Sequence, residues 1–392
     1  MTILLKNANI YGGKPADILV ENGIIAGIGS YKVADEIHDM SEYAAVLPGF
    51  IDAHIHIVTG DVEYNDRSLR AWAQAGVTTV RDLGLGTDKT EHPTEEFLAY
   101  RETIEEPECA HCLTAGRFVA QYHGLNHIMG DGAETGYGCQ TVEDCVNAVN
   151  ELIDMGCEGI KTSVGSGSSK RLEILAVPKL KAIADTAKSR KAWVTCHVLD
   201  AELIPLLLEA EMPEFAHMPT DHVPDALLKQ MAEAGVTCTP TLMSVNAPRP
   251  PAPQNAKMPP MPGNPGGPPP EEEDRQAQED ICVDNTRRFI GFGGMVAVGT
   301  DTMRMEAQPH VACMPIKELQ LLHKAGLTVS ETIDAGTINA AKLCRIDDQV
   351  GSIAVGKKAN IIAVKDKIDE TFEALGHVEF VMNRGKVIKK VV

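Results

Sequence analysis

Runs of apolar residues bounded by turn signals predict β-strands at both ends of the chain. Three runs lie near the beginning and three near the end, at residues 4–10, 17–20, 24–28, 361–364, 378–382 and 387–392. Asn22-Gly23, between two of these runs, is typical of a type I′ hairpin, because both central residues of that turn need positive φ. The two strand-rich ends predict one small β-sandwich domain formed by residues 1–49 and 346–392.

The middle of the chain alternates short apolar runs with segments of helical length. Buried strands are predicted at 76–80, 159–162, 192–196 and 295–298, and helices at 141–155, 179–189 and 225–234. This alternation is typical of βα units around a parallel sheet. We therefore expect an α/β fold, a TIM-like (β/α)8 barrel over residues 50–345, whose chemistry lies where the strands end and the next loops begin.

One proline-rich stretch interrupts this pattern. Residues 248–270 contain 11 of the 23 prolines, and the acidic run Glu271-Glu272-Glu273-Asp274 follows them. Proline lacks a backbone donor and does not fit the interior of a helix or a central strand. We predict a surface insertion at 248–274. The alternative is a lid or an oligomer contact, because long loops in compact domains are often functional.

The composition of the chain excludes some kinds of binding partner. The 392 residues are 44% hydrophobic, and 36 basic against 55 acidic residues give a net charge of −19. Such a chain is not expected to bind nucleic acid or an anionic membrane surface, and no apolar run approaches the ~20 residues of a membrane span. Ten scattered cysteines and a first segment that reads as a strand favour a cytoplasmic protein with reduced thiols. We expect a homo-oligomer that acts on a small-molecule substrate.

The most specific chemical feature is a His-x-His pair at the end of a predicted strand. His54 and His56 end the run that begins at Pro48, and residues two apart on a strand share a face, so both imidazoles point the same way. Four further polar side chains directly follow other apolar runs, and these are Lys161, His197, His217 and Asp301. Ligand-type side chains at several strand ends of one barrel predict a metal site.

These residues resemble the motifs of the amidohydrolase superfamily of metal-dependent hydrolases, over nearly the whole chain. The motif Pro-Gly-x-Ile-Asp-x-His-x-His of the first barrel strand is matched by residues 48–56, and the Gly-Thr-Asp motif of the eighth by 299–301. The closing signature of the family is matched at 337–342 and 351–357. Asn360 stands where the family usually has aspartate, at a structural position.

Within the superfamily, the chain resembles the branch of imidazolonepropionases and bacterial Xaa-Pro and Xaa-Arg dipeptidases. Ile160-Lys161, followed by the glycine- and serine-rich residues 163–167, is similar to the dipeptidase side. That resemblance implies two divalent metals bridged by a lysine carboxylated with carbon dioxide. The implied ligands are His54, His56 and Asp301 for the first metal, His197 and His217 for the second, and Lys161 as the bridge.

The implied chemistry agrees with the residue types. An amine buried beside cations has a depressed pKa, so a neutral Lys161 can capture carbon dioxide as a carbamate. Asp301 would take the proton of the attacking water and pass it to the leaving nitrogen, which is a general acid–base role. Zinc is the default metal, and manganese or iron would accept the same ligands.

A less specific segment follows the predicted third strand. Gln121-Tyr122-His123-Gly124 resembles a His-Gly segment that related dipeptidases carry at this place. The resemblance implies that His123 is catalytic and donates to the developing oxyanion, and that Tyr122 contacts substrate. The alternative is a loop histidine without a catalytic part. Arg81-Asp82, after the second strand, more often indicates a structural ion pair than substrate recognition.

The sequence thus predicts hydrolysis of a C–N bond, an amide in a small N-acyl amino acid, dipeptide or cyclic amide. Three alternatives stay open. A deaminase or cyclic-amidine hydrolase would use the same ligands with a different leaving group. An enzyme similar to imidazolonepropionase would bind one metal and leave Lys161 unmodified. A non-catalytic scaffold of the same fold usually loses ligands, whereas all six are present here.

Overall fold

The computed structural model describes residues 1–56, 62–84, 93–104, 106–122, 124, 136–164, 173–246, 272–302 and 313–391. Its strands are β1 (Thr2–Ala8), β2 (Ala16–Glu21), β3 (Ile24–Gly29), β4 (Glu36–Asp39), β5 (Ala45–Pro48), β6 (Phe50–Ile55), β7 (Val77–Asp82), β8 (His111–Thr114), β9 (Phe118–Gln121), β10 (Gly136–Cys139), β11 (Gly159–Ser163), β12 (Trp193–His197), β13 (Glu214–Phe215), β14 (Thr237–Cys238), β15 (Met295–Val296), β16 (Ile361–Val364), β17 (Phe380–Asn383) and β18 (Lys386–Lys390).

The α-helices follow the barrel strands. They are α1 (Val62–Ala75), α2 (Pro93–Thr103), α3 (Val142–Met155), α4 (Val177–Ser189), α5 (Ile204–Glu209), α6 (Asp225–Glu233), α7 (Leu242–Val245), α8 (Glu272–Gly291), α9 (Ile316–Lys324), α10 (Val329–Ala335) and α11 (Ile338–Leu343). Two short 3-10 helices lie at Ala201–Leu203 and Glu373–His377.

Parallel strands form a closed ring in the middle of the molecule. One sheet has the order β6-β7-β8 and the other β10-β9-β11-β12-β13-β14-β15, with β8 and β9 sharing the third position of the ring. Ala53 N donates to Val298 O at 2.9 Å, which joins β6 to the segment that extends β15. Glu158 N donates to Thr114 O at 3.2 Å and joins β8 to the start of β11. The predicted TIM-like (β/α)8 barrel is confirmed.

Local sequence signals explain where the barrel helices begin and end. Thr141 caps α3 by accepting from Asp144 N, and the Asp144 side chain accepts from the Thr141 backbone in return. Gly156 ends the helix at φ 112°, a left-handed conformation that favours glycine. The buried face of α3 consists of Cys145, Ala148, Val149 and Leu152. This spacing of three and four residues places the four side chains on one face, as is typical of a helix that packs against a core.

Two four-stranded sheets form the sandwich from both ends of the chain. One has the order β3-β2-β1-β4, and the other, β18-β17-β16-β5, joins a strand from the beginning of the chain to three from the end. Apolar side chains of both sheets pack in one core, including Ile18, Val46, Ile361 and Phe380. The predicted hairpin is confirmed, since Asn22 and Gly23 have φ of 50° and 82°.

An extended segment near the beginning of the chain runs from the sandwich directly into the barrel. Residues 45–48 form β5 and residues 50–55 form β6, with only Gly49 between them. Gly49 N donates to Asn360 O at 2.9 Å, and a side chain at this position would collide with Thr78. The close approach of strand β7 therefore requires glycine here. The strand that ends in the His-x-His pair is anchored in both units.

The structure also bears on three further features of the sequence: the proline-rich insertion, the cysteines and the length of the helices. Most of the proline-rich insertion lies outside the described residues, and the acidic residues at its end form the first turn of α8 instead. All ten cysteines are free thiols, nine of them buried. None of the described helices is long and apolar enough to span a membrane.

Candidate metal centre

Six side chains meet at the carboxyl ends of the barrel strands. We call them the strand-end cluster, and they are His54 on β6, His56 directly after β6, Lys161 on β11, His197 on β12, His217 after β13 and Asp301 after β15. Because all barrel strands run parallel, their carboxyl ends lie on one face of the ring, where the side chains can share one site. These are the six residues that the sequence predicted as metal ligands, and their coordination stays a prediction.

Three members of the cluster lie closest together. The Nε2 atoms of His54 and His56 lie 3.3 Å and 3.1 Å from the same oxygen, Oδ1 of Asp301. One ligand atom from each residue lies within 4.8 Å of the others, a group that could hold a metal ion. Asp301 has φ 56°, and its N–H donates to His54 O at 2.7 Å. This left-handed backbone turns the carboxylate back over the two imidazoles.

The hydrogen bonds of His56 indicate that a cation lies between its Nε2 atom and Asp301 in the functional protein. Its Nδ1 lies 2.8 Å from Gly84 O, and a carbonyl only accepts, so Nδ1 carries the proton. A neutral His56 would then direct the Nε2 lone pair at the Asp301 carboxylate, which also only accepts. Burial alone lowers the pKa of His56, yet the contact with Asp301 outweighs it and raises that pKa. A proton or a metal ion between Nε2 and Oδ1 resolves the conflict.

Lys161 is a buried amine without a hydrogen-bond partner. Its side chain is 1% exposed, and Nζ contacts no acceptor in the described part of the chain. Burial lowers its pKa from 10.5 to about 8, the positive charge of Arg81 adds to this effect, and Asp301 opposes it. An unpartnered buried donor is costly, so its presence indicates a role that the metal-free protein does not fulfil.

The two remaining histidines complete the ring of donors. The imidazole centroids of His197 and His217 are 4.6 Å apart, and those of His217 and His54 are 4.8 Å apart. Burial, and next the charge of Lys161, lower the pKa of His197 to about 3. Burial and then His197 hold the pKa of His217 well below its ordinary value. Both imidazoles are neutral at physiological pH, which is the form that binds a metal.

The donor set fits divalent metal ions. Nε2 of His197 is buried without a hydrogen-bond partner among the described residues, as is Nζ of Lys161. Nδ1 of His217 bonds to Thr241 Oγ1 at 2.8 Å, which leaves its other nitrogen for a ligand. Imidazoles and carboxylates of this kind suit zinc, manganese and iron. Unsatisfied donor atoms on one face are what a metal centre needs before the metal is bound.

Asp52, inside the strand-1 motif, was not singled out from the sequence as a functional residue. Its carboxylate accepts from Thr300 Oγ1 at 2.7 Å, from Thr300 N at 3.1 Å and from His54 N at 3.2 Å. It therefore joins the two strands that carry His54 and Asp301. Burial raises its pKa to about 7, against the effect of these hydrogen bonds. Its place in the motif, two residues before His54, was the available signal.

A second group of buried charges lies toward the amino ends of β12 and β13. Arg81 Nη1 donates to Glu214 Oε2 at 2.9 Å, and Nη2 donates to the other oxygen. We call Arg81 and Glu214 the inner ion pair. Arg81 Nε also donates to Ala53 O at 2.7 Å, and the guanidinium lies 4.8 Å from the ring centre of Trp193. The structural ion pair expected at Arg81 is present, and its partner is Glu214.

The segment after the third strand is only partly described. Tyr122 N donates to Cys139 O at 3.3 Å, next to Gln121, which accepts from Lys179 Nζ at 2.7 Å. His123 lies outside the described residues. The predicted roles of Tyr122 in substrate binding and of His123 in catalysis stay predictions.

Known proteins match most of the length of this chain. The model of the amidohydrolase family matches residues 45–392. An imidazolonepropionase of Symbiobacterium thermophilum is 24% identical, over 88% of this chain and 80% of its own length. An adenine deaminase of Listeria monocytogenes is 39% identical over 83 residues, which are 20% of this chain and 14% of the relative. Short matches of this kind span 14% to 25% of the relatives' lengths.

Solved structures share the whole fold. The crystal structure of a Xaa-Pro dipeptidase with methionine in its active site superposes with a TM-score of 0.79. It is 22% identical in sequence, and the match covers 99% of this chain and 100% of that one. At this identity the likeness establishes the architecture of barrel and sandwich.

Proposed function

The chain belongs to the amidohydrolase family, and we propose that it is a metal-dependent hydrolase of a C–N bond. The proposed substrate is an amide in a small N-acyl amino acid, dipeptide or cyclic amide. The observation that carries the proposal is Lys161, a residue that is 1% exposed and whose amine has no hydrogen-bond partner among the described residues. Its charge acts on His54, His197 and Asp301 of the strand-end cluster. A binuclear site with a carboxylated lysine gives this amine a function.

Each member of the cluster has a proposed place. His54, His56 and Asp301 would hold one divalent ion, and His197 and His217 a second one. The carbamate formed from Lys161 and carbon dioxide would hold both ions. The lowered pKa of Lys161, about 8 through burial, supports this reaction, because only the neutral amine attacks carbon dioxide. Zinc is the first choice, with manganese or iron as substitutes.

The residues of the chain then account for proton transfer. Two bound divalent ions supply Lewis acidity, which lowers the pKa of water and polarises the scissile carbonyl. Asp301 accepts the proton of the attacking water and hands it to the leaving nitrogen. Burial opposes ionisation of Asp301, yet His54 and His56 hold its pKa well below the ordinary value, so the side chain is an ionised carboxylate, the form that a metal ligand and a proton acceptor both require. The amide is cleaved when the nitrogen leaves as an amine.

A mononuclear enzyme similar to imidazolonepropionase is the second candidate. Two observations favour it. Among the histidine, cysteine and acidic residues that the structure describes, the compact group of possible ligands is His54, His56 and Asp301. An imidazolonepropionase also matches over 88% of this chain. It predicts one metal per chain and an unmodified Lys161. A deaminase, for which the match to adenine deaminase is the argument, would release ammonia from an amidine instead of an amine from an amide.

Metal content and a substrate screen separate these proposals. We expect two divalent ions per chain by elemental analysis, and a carbamate signal by carbon NMR after growth with labelled bicarbonate. A panel of N-acyl amino acids, dipeptides, cyclic amides and adenine-type amidines should show turnover of an amide. If the chain binds one ion, shows no carbamate signal and hydrolyses a cyclic amidine or imidazolone, the binuclear proposal is wrong and the mononuclear candidate takes its place. If the fully metal-loaded protein turns over none of these compounds, the result would support a non-catalytic scaffold.

Substitution of the lysine tests the bridge directly. Lys161→Ala should lower the amount of bound metal and the turnover, because the shared ligand is lost. Added formate or acetate should restore part of both, since a small carboxylate can occupy the vacated position. Lys181→Ala is the matched control, because Lys181 lies on α4 and forms surface ion pairs with Asp185 and Glu211. Full activity of Lys161→Ala without added carboxylate would refute the bridge.

A further inference from the structure

We infer that Thr241, held in place by Glu318, is a positioning residue that directs His217 toward the second metal. The inference rests on the proposed function, in which His217 is a ligand. Thr241 Oγ1 lies 2.8 Å from His217 Nδ1, and both residues are buried. A proton on Nδ1 that is donated to this hydroxyl leaves the lone pair of Nε2 free for the metal.

The backbone of Thr241 is in a conformation that threonine rarely adopts. Its φ and ψ are 51° and 42°, in the left-handed region, where a β-branched side chain is crowded. Such a conformation persists only when its surroundings impose it, and such outliers concentrate at functional sites. At this position it brings the hydroxyl to His217 at the point where the chain passes from Pro240 into α7.

Glu318 supplies the restraint. Its side chain is fully buried, and its two oxygens accept from Leu242 N at 3.1 Å and from Met243 N at 2.8 Å. These N–H groups belong to the two residues that directly follow Thr241. Glu318 lies on α9, after the eighth barrel strand, whereas His217 follows the sixth. The carboxylate thus fixes the segment that carries the hydroxyl, through contacts between elements far apart along the chain.

The partner of His217 differs from that of His56. The Nδ1 atom of His56 donates to a backbone carbonyl, Gly84 O, which no substitution of a side chain removes. His217 instead depends on one hydroxyl, which also lies 3.4 Å from Ser244 Oγ. Partners of this kind orient metal-binding histidines and increase their basicity. The orientation of the ligand for the second metal can therefore be changed without touching any ligand.

Zinc binding to the metal-free full chain tests the inference, measured by competition with a chromophoric chelator. Thr241→Val keeps the shape but removes the hydroxyl, and it should weaken one of the two zinc ions about 10- to 100-fold while the other is unchanged. Thr241→Ser retains the hydroxyl and should bind both ions as the wild type does. Glu318→Gln should weaken the same ion as Thr241→Val, by a smaller factor.

Two matched controls isolate the effect from general loss of packing. Thr286→Val removes a buried hydroxyl that donates within α8, to Cys282 O at 2.7 Å. Asp17→Asn changes a buried carboxylate on β2 that accepts from two backbone amides of the sandwich, Asn7 N and Tyr31 N, each at 2.9 Å. Neither should change the affinity for zinc. Far-ultraviolet circular dichroism confirms folding, and if Thr241→Val does not fold, Glu318→Gln carries the test.

The outcomes separate the inference from the proposed function. Two zinc ions bound by Thr241→Val with wild-type affinities would overturn the inference and leave the proposed function intact. A wild-type chain that binds fewer than two ions would overturn the proposed binuclear site, and the inference with it. Equal weakening of both ions by Thr241→Val and by Thr286→Val would indicate a general structural effect and would also overturn the inference.

Discussion

The strand-end cluster and the inner ion pair both bring ionisable side chains into the barrel, but they differ in how many of their polar atoms have hydrogen-bond partners. Arg81 of the inner ion pair is fully buried and bonds to Glu214, to Ala53 O and, at 3.5 Å, to Thr239. In the cluster, Lys161 Nζ and His197 Nε2 have no hydrogen-bond partner among the described residues. The guanidinium of the inner ion pair is satisfied by protein groups, whereas the cluster leaves buried nitrogen atoms for which we propose a metal or carbamate partner.

This difference distinguishes buried charged groups that stabilise the fold from those that serve a ligand. Removal of one partner of a buried ion pair leaves an uncompensated charge, which is strongly destabilising. Buried donors without partners cost free energy, so they persist where a ligand satisfies them. We therefore expect loss of one partner of the inner ion pair to lower stability, and loss of a member of the strand-end cluster to lower activity.

The largest expected effect is on turnover, through the cluster. Asp301→Asn should lower kcat by about 10²- to 10⁴-fold, because the amide neither accepts the proton of water nor passes it on. The chemical denaturation midpoint should stay close to that of the wild type. Stopped assays on the best amide of the screen, with metal content measured in parallel, give the comparison. Near-normal turnover of a metal-loaded variant would show that Asp301 is not the proton shuttle.

The next largest effect is on stability, through the inner ion pair. Arg81→Met should lower the free energy of unfolding by about 3–5 kcal/mol, because Glu214 is left as an uncompensated buried charge. The double variant Arg81→Met/Glu214→Leu should recover most of this loss, since no unpaired charge remains. Denaturant titrations of the two single variants and the double variant measure the coupling. Additive losses in the double variant would contradict the assigned pairing.

The smallest effect is the pH dependence of the metal-free protein. Burial lowers the pKa of Lys161 from 10.5 to about 8, so between these values the unfolded chain holds a proton that the folded chain has released. The free energy of unfolding should therefore rise with pH across this interval, by at most about 1.4 kcal/mol per pH unit from this group. Lys161→Met should remove that rise. An identical pH profile in wild type and variant would mean that Lys161 keeps an ordinary pKa.

The strand-end cluster could be predicted from the sequence because its signal is local. Each of its members ends or closely follows an apolar run, and a parallel barrel brings all such ends to one face. The partner of Arg81 could not be predicted, since Glu214 lies 133 residues away and reaches it only in the closed barrel. The fold was predictable for the same reason as the cluster, because βα alternation repeats along the chain.

Thr241 and Glu318 differ in how far sequence could have revealed them. Glu318 shares a helix face with Leu321 and Leu322, three and four residues later, and an acidic residue on an apolar face is a readable signal. Thr241 offers none, because positive φ is not expected of threonine. Its conformation follows from contacts with α9 that exist only in the folded protein. His123, predicted from a motif in a loop, lies outside the described residues.

The continuous segment of residues 45–56 has a consequence for how the molecule opens. It contributes β5 to the sandwich and β6 to the barrel, with Gly49 as the only residue between them. Unfolding of the sandwich would remove the sheet that holds one end of this segment, so we expect the stability of the two units to be coupled. Native-state hydrogen exchange should then be slow in both strands, because core strands open mainly in the larger unfolding events. Local opening at His54 and His56 should accordingly be rare, and the predicted ligand pair would stay in position.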